Sequence, residues 1–162
     1  MEEFRNKKDE ISVRVLFLRQ AAALYGADGP AAATLGSAGL DLRADLPEHS
    51  PCRLAPGERA AIPSGLAIEP LRPDVAGFVY SRSGLGAVRG LTVAQGVGVI
   101  DPDYRGEILV YLLNTSREGA LVRRGERIAQ LIFQPFYRPF FIRAEALGET
   151  GRGDGGFGHT GA

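Results

Sequence analysis

Between residues 11 and 19 apolar residues recur at every second position. Ile11, Val13, Val15 and Phe17 fall on one face, and Ser12, Arg14, Leu16 and Leu18 fall on the other. This period of two predicts a half-buried strand. Short apolar stretches follow near 39–44, 59–62, 66–69, 76–80, 91–94, 97–100, 107–113, 119–122, 127–134 and 139–143, most of them separated by Gly or Pro. Many short strands without a long amphipathic helix predict an all-β sandwich or barrel. Residues 20–37 are rich in Ala but carry Gly26, Gly29, Pro30 and Gly36. These breakers predict a long surface connection rather than a helix.

The chain also echoes itself. Pro-Gly-Glu-Arg at 56–59 and Arg-Gly-Glu-Arg at 124–127 each precede an apolar run. Gly tolerates the positive φ that a type II turn requires. A repeated turn there predicts similar hairpins in two halves of a sandwich, although the tripeptide Gly-Glu-Arg is also an ordinary turn sequence. The last fifteen residues change character, since seven are glycine. Such a segment loses much entropy on ordering, which predicts a domain over 1–147 and a mobile arm over 148–162. Arg152, Phe157 and His159 stand between those glycines. A cation, a ring and free backbone N–H groups suit a lid over an aromatic polyanion.

Composition narrows the function. The 162 residues suffice for one domain. Lys+Arg and Asp+Glu are both 19, so the net charge is zero. Non-specific nucleic-acid binding needs a basic surplus and is not expected. The longest fully apolar run, 108–113, is far short of a membrane span. One cysteine, Cys52, allows no intrachain disulfide and no cysteine zinc cage. The N-terminal ten residues carry both charges without an apolar core, which predicts a cytoplasmic protein.

Four segments carry candidate chemistry. Ser81-Arg82-Ser83-Gly84 follows a predicted strand, and its guanidinium, hydroxyls and backbone N–H groups suit phosphate oxygens. It is also an ordinary turn. Asp101-Pro102-Asp103-Tyr104 follows the apolar run 97–100. A carboxylate there can hold and deprotonate a water, or it can cap a turn. Tyr104 can stack on a sugar or fill core. Asp41 lies within an apolar strand-like stretch, where an inward carboxylate needs a partner or a task. Gln130 poses the same question with a neutral amide.

Taken together, 38–44 (Ala-Gly-Leu-Asp-Leu-Arg-Ala), 82–85 (Arg-Ser-Gly-Leu), 98–106 (Gly-Val-Ile-Asp-Pro-Asp-Tyr-Arg-Gly), 125–130 (Gly-Glu-Arg-Ile-Ala-Gln) and 152–158 (Arg-Gly-Asp-Gly-Gly-Phe-Gly) resemble the five ordered motifs of the homotrimeric dUTPases. The resemblance implies a jelly-roll β-barrel, a trimer with active sites between subunits, and hydrolysis of dUTP to dUMP and pyrophosphate. That activity limits uracil in DNA and supplies dUMP for thymidylate synthesis. It implies Mg²⁺ held mainly by substrate phosphates. By motif, Asp101 would activate the attacking water and meet the sugar 3′-OH. Tyr104 would pack under the deoxyribose and exclude a 2′-OH. Arg82, Ser83, Gly84 and Gln130 would bind the phosphate chain. Gln95, Gly98 and Val99 would belong to the hairpin that reads uracil through its backbone. Asp41 would act near the metal through water. Arg152 would meet the terminal phosphates, and Phe157 with Gly158 would close over the base.

Two departures stand out. Ala94-Gln95-Gly96 occupies the base-reading hairpin, where many bacterial relatives have an Asn, and Ser81 replaces a frequent Pro. A related branch, the dCTP deaminases, has a catalytic Glu where this chain has Tyr111, which removes the proton shuttle for deamination. A non-enzymatic nucleotide-binding module on the same scaffold would have no use for a poised water at Asp101.

Overall fold

The computed structural model describes residues 10–156. Its regular structure is nearly all strand: β1 (Val13–Phe17), β2 (Leu40–Arg43), β3 (Cys52–Leu54), β4 (Arg59–Pro63), β5 (Leu66–Pro70), β6 (Val75–Tyr80), β7 (Leu91–Val93), β8 (Val97–Ile100), β9 (Leu109–Asn114), β10 (Ala120–Val122) and β11 (Arg127–Pro135). Helical structure is confined to one turn, α1 (Ala22–Tyr25), and a π-helical turn at Gly84–Val88. The strands form sheets β2-β11-β6-β8, β4-β9-β7, β1-β5 and β10-β3, with every pairing antiparallel. None closes on itself, and the architecture is an open, jelly-roll-like β fold.

One core serves all four sheets. Leu42, Leu54, Ile62, Leu66, Leu91, Val110, Leu112, Ile128 and Leu131 are fully or almost fully buried and cluster together. Each such side chain contributes about 1.5–3 kcal/mol over its exposed state. The inward faces follow the alternation of the sequence. In β1, Val13, Val15 and Phe17 pack against the core, whereas Leu16 is exposed.

Residues 20–37 are largely a surface connection, as the breakers predict, but α1 pins it. The Tyr25 hydroxyl donates towards the Arg43 and Ser64 carbonyls at 3.1 and 2.9 Å and accepts from the Arg43 N–H at 2.8 Å. Burial pushes the Tyr25 phenol up to about 12.

The repeated turn is real in its chemistry. Glu58 closes its turn by accepting from the Ala55 N–H at 2.7 Å, and Glu126 does the same to Arg123 at 2.9 Å. Gly57 and Gly125 have φ of 78° and 77°. Neither turn makes a hairpin, contrary to the expectation. β3 pairs with β10 while β4 pairs with β9 and β11 with β2 and β6, so each turn carries the chain from one sheet to another.

The strand expected at 139–143 does not form within the chain. β11 ends at Pro135, and Pro139 has no N–H to donate to a ladder. Phe140, Phe141 and Ile142 are left at least 81% exposed. Conversely, the short strand β3 carries no alternation long enough to predict it.

Candidate active site

β6 is the organising strand. It lies between β11 and the edge strand β8. Its register sets Tyr80 opposite Val97 and Gly77 opposite Ile100. Ser81 and Arg82 therefore leave one end of the β6/β8 pair, and Asp101 leaves the other. Gly77 to Ser81 is four residues of extended chain, roughly 13 Å.

At the Asp101 end and along β8 runs a cleft of about 290 Å³. Its apolar walls include Val79, Val93, Ile100 and Val110, and its polar lining is Gln95, Asp101, Tyr104, Glu107 and Tyr111. Gly98 and Val99 also line it. A side chain at Gly98 would press within 3.2 Å of the Gln95 amide nitrogen and 3.3 Å of Val79, so glycine keeps this part of the cleft open. The turn Val93–Gly96 closes with a 3.0 Å bond from the Gly96 N–H to the Val93 carbonyl. The expected base-reading hairpin is not a ladder. β7 pairs with β9 and β8 pairs with β6, so the turn bridges two sheets. β8 has a strand neighbour on one side only, which leaves an edge of backbone donors and acceptors beside the cleft.

The Asp101 turn is closed by the Tyr104 N–H donating to the Asp101 carbonyl at 3.0 Å. The Tyr104 hydroxyl donates to the Glu107 carbonyl at 3.1 Å. The ring thereby lies across Gly106, where any Cβ would collide with it. Arg105 fastens the turn by donating to the Pro102 carbonyl at 2.8 Å and to Glu69 at 3.1 Å.

A second cluster forms at the opposite end. Asp41 stands opposite Gln130 in the β2/β11 register, and Gln130 stands opposite Tyr80. The Asp41 carboxylate pairs with Arg82 at 2.9 Å through one oxygen and with Arg127 at 3.2 Å through the other. The open question about Asp41 is thus answered by two cation partners. The Gln130 amide donates to the Ser81 carbonyl at 2.9 Å. A Cβ at Gly39 would collide with the Gln130 amide oxygen, so any side chain there must push that amide aside. Ser83 and Gly84 open the π-helical turn beside Arg82, where the Gly86 N–H donates back to the Arg82 carbonyl at 2.9 Å. The Ser81 hydroxyl accepts from the Val93 N–H at 2.8 Å and so ties this cluster to the near end of the cleft.

The structure thus gathers Gln95, Gly98, Val99, Asp101 and Tyr104 in one place, and Asp41, Arg82, Ser83, Gly84 and Gln130 in another. Arg152 joins neither group. Its side chain donates to the Gly155 carbonyl at 2.8 Å in an exposed turn. Phe157 and Gly158 lie outside the described residues. Sequence reasoning missed Glu107, Leu109 and Tyr111 as cleft residues and Arg127 as a partner of Asp41. The available signal was β9 itself, which is apolar on both faces. Val110 and Leu112 face the core while Leu109 and Tyr111 face outward, into the cleft.

Among the described residues, no group of three or more His, Cys, Asp or Glu side chains is arranged to cage a metal, and no helix is long and apolar enough to cross a membrane.

The family profile described as dUTPase matches residues 27–161. A curated relative from Desulfitobacterium hafniense, a deoxyuridine 5′-triphosphate nucleotidohydrolase, is 46% identical over 153 residues, covering 94% of this chain and 98% of its own. Among solved structures, a mutant dUTPase of Staphylococcus bacteriophage 80alpha with dUpNHpp superposes with a TM-score of 0.75 at 23% identity, covering 93% of this chain and 99% of that one. A mutant dUTPase of Staphylococcus aureus phage phi11, described as revealing the coordination of a structural Mg(II) ion, gives 0.70 at 20% identity, over 85% and 99%.

Proposed function

The chain belongs to the dUTPase family and hydrolyses dUTP to dUMP and pyrophosphate, and we propose that it does so at a site shared between copies of the chain. Uracil enters the cleft along β8 and is read by the backbone of the Gln95 turn and of Gly98 and Val99. The deoxyribose rests on the Tyr104 ring, whose fixed position leaves no room for a 2′-OH. Asp101 meets the 3′-OH and takes a proton from the attacking water. The water oxygen bonds to the α-phosphorus, the bond to the bridging oxygen of the β-phosphate breaks, and pyrophosphate departs.

Arg82, Ser83, Gly84 and Gln130 receive the phosphate chain. The observation that carries the shared site is their separation from Asp101 within one chain. A nucleotide with its base by Gln95 and its sugar on Tyr104 extends its phosphates past Asp101, away from this chain's own Arg82. A second copy must bring Arg82. The exposed side chains of Val97, Val99, Leu109 and Tyr111, and of Tyr137, Phe140, Phe141 and Ile142 beyond β11, are the apolar surface such an assembly would cover. We take the assembly to be a homotrimer. The segment 148–162 acts as an arm that brings Arg152 to the terminal phosphates and Phe157 with Gly158 over the base.

Asp41, whose carboxylate Arg82 and Arg127 hold in place, would accept from the water shell of a Mg²⁺ ion held mainly by the substrate phosphates, and that ion would supply charge neutralisation there. We further propose that the protein is cytoplasmic, without nucleic-acid or membrane partners. Pyrophosphate release from dUTP, beside ammonia release from dCTP, tests the reaction. Pyrophosphate without ammonia is expected. Ammonia from dCTP would place the chain with the deaminases despite Tyr111.

A further inference from the structure

The cleft contains one connection that the five motifs do not account for. Arg19 follows β1 and is the one non-glycine among the described residues with a left-handed backbone, at φ 53°. That conformation is unfavourable for a residue with a side chain and persists where the surroundings hold it. Its guanidinium explains what holds it. The Nε donates to Asp45 at 2.8 Å, and both terminal nitrogens engage the Glu107 carboxylate, one of them at 3.2 Å. The Asp45 side chain is only 2% exposed and also pairs with Arg124. Glu107 accepts a further bond from the Gly65 N–H at 2.7 Å. Gly65 itself has φ 73°, and a Cβ there would collide with Ala21 and crowd the Asp45 carboxylate.

This network ends at the cleft. The residue whose carboxylate Arg19 and Gly65 grip is the residue whose backbone carbonyl receives the Tyr104 hydroxyl at 3.1 Å. We infer that Arg19 and Glu107 form a positioning tether that fixes the Tyr104 ring and thereby sets discrimination between deoxyribose and ribose. The inference rests on the proposed sugar-reading role of Tyr104 and adds its support. A ring that rejects a hydroxyl by collision does so only if it cannot tilt away. Gly106 bounds the ring on one side, and the hydroxyl bond to Glu107 fixes its far end. The peptide that carries this acceptor is held on its other side by the Ile108 N–H, which donates to the Leu66 carbonyl at 2.8 Å, so freeing the Glu107 side chain removes the second of its two anchors. Because guanidinium and carboxylate are matched bidentately, the tether also has a defined direction that an amide or ammonium reproduces only in part.

The test uses the full-length chain and the ratio of kcat/KM for dUTP to that for UTP. Glu107→Ala and Arg19→Gln should each lower this ratio about five- to tenfold, the scale of one lost hydrogen bond to a positioned group. Arg19→Lys should restore part of it. Tyr104→Phe removes the hydroxyl from a partly exposed ring and leaves the fold intact. In that background Glu107→Ala should change the ratio no further, because the tether has lost its end point. A lowered melting temperature with an unaltered ratio in Glu107→Ala and Arg19→Gln would make the network structural only and overturn the inference. So would an undiminished effect of Glu107→Ala in the Tyr104→Phe background. If both of those variants fail to fold, Arg19→Lys and Tyr104→Phe decide: an unchanged ratio in both overturns the inference. A wild-type chain that already accepts UTP as well as dUTP would instead refute the sugar-reading role of Tyr104.

Discussion

Asp101 leaves β8 at the mouth of an apolar cleft, in a turn closed by its own backbone carbonyl and the Tyr104 N–H. The turn is thus held without the carboxylate, which stays free for chemistry. Asp101→Asn keeps shape and loses the base, so kcat should fall roughly 10²–10⁴-fold while binding persists. Calorimetric titration with a non-hydrolysable dUTP analogue, beside kcat, checks this; near-normal turnover would remove Asp101 from the mechanism. Tyr104→Ala should narrow the gap between dUTP and UTP, and an unchanged ratio would assign sugar reading elsewhere. Gly39→Ala should act at a distance, since the new methyl collides with the Gln130 amide oxygen and must displace it from Ser81. A raised KM for dUTP with a native circular dichroism spectrum is expected. An unaltered KM would show that the Gln130 amide can shift without consequence.

Elements were legible where alternation was long. Val13, Val15 and Phe17 announce β1, and the runs at 127–134 and 76–80 announce the central strands β11 and β6. The short β3 was not legible, because three residues carry no period. The run at 139–143 misled for a different reason. Its apolar side chains are real, but a strand needs a neighbour, and within the chain none lies beside it. The two Gly-Glu turns showed their local chemistry in sequence, whereas their linking of different sheets depends on pairings far along the chain. The site divides the same way. Asp101, Tyr104, Arg82 and Gln130 are visible through motif order. Glu107 and Arg127 act through partners distant in sequence, Arg19 and Asp41, and no local pattern marks such pairs. The short α1 offers a test at this scale. Tyr25→Phe strands the Arg43 N–H and should cost about 1–3 kcal/mol. The wild-type phenol titrates near 12 instead of its usual 10, so the fold favours its neutral form. Its contribution is complete below pH 10 and is lost as pH rises through 12. Urea midpoints of wild type and variant should therefore differ at pH 9 and converge towards pH 12. Equal midpoints at pH 9 would mean that the hydroxyl bonds are replaced by water at no cost.

At the scale of the molecule, the register of β6 with β8 keeps Asp101 and Arg82 at opposite ends of the same strands, so under the proposed reaction two copies of the chain build one site. Complementation tests this most directly. Full-length Asp101→Asn and Arg82→Ala are each expected to be nearly inactive. Unfolded together and refolded as a 1:1 mixture, they assemble at random. For a fixed neighbour relation in a closed ring, about one quarter of sites then pair a native Asp101 with a native Arg82. Pyrophosphate release from dUTP should rise to roughly that fraction of the wild-type rate. If Asp101 and Arg82 served one site from a single chain, no site in any mixture would hold both. Activity that stays at the sum of the two separate variants, once chromatography shows that mixed oligomers have formed, would contradict the shared site.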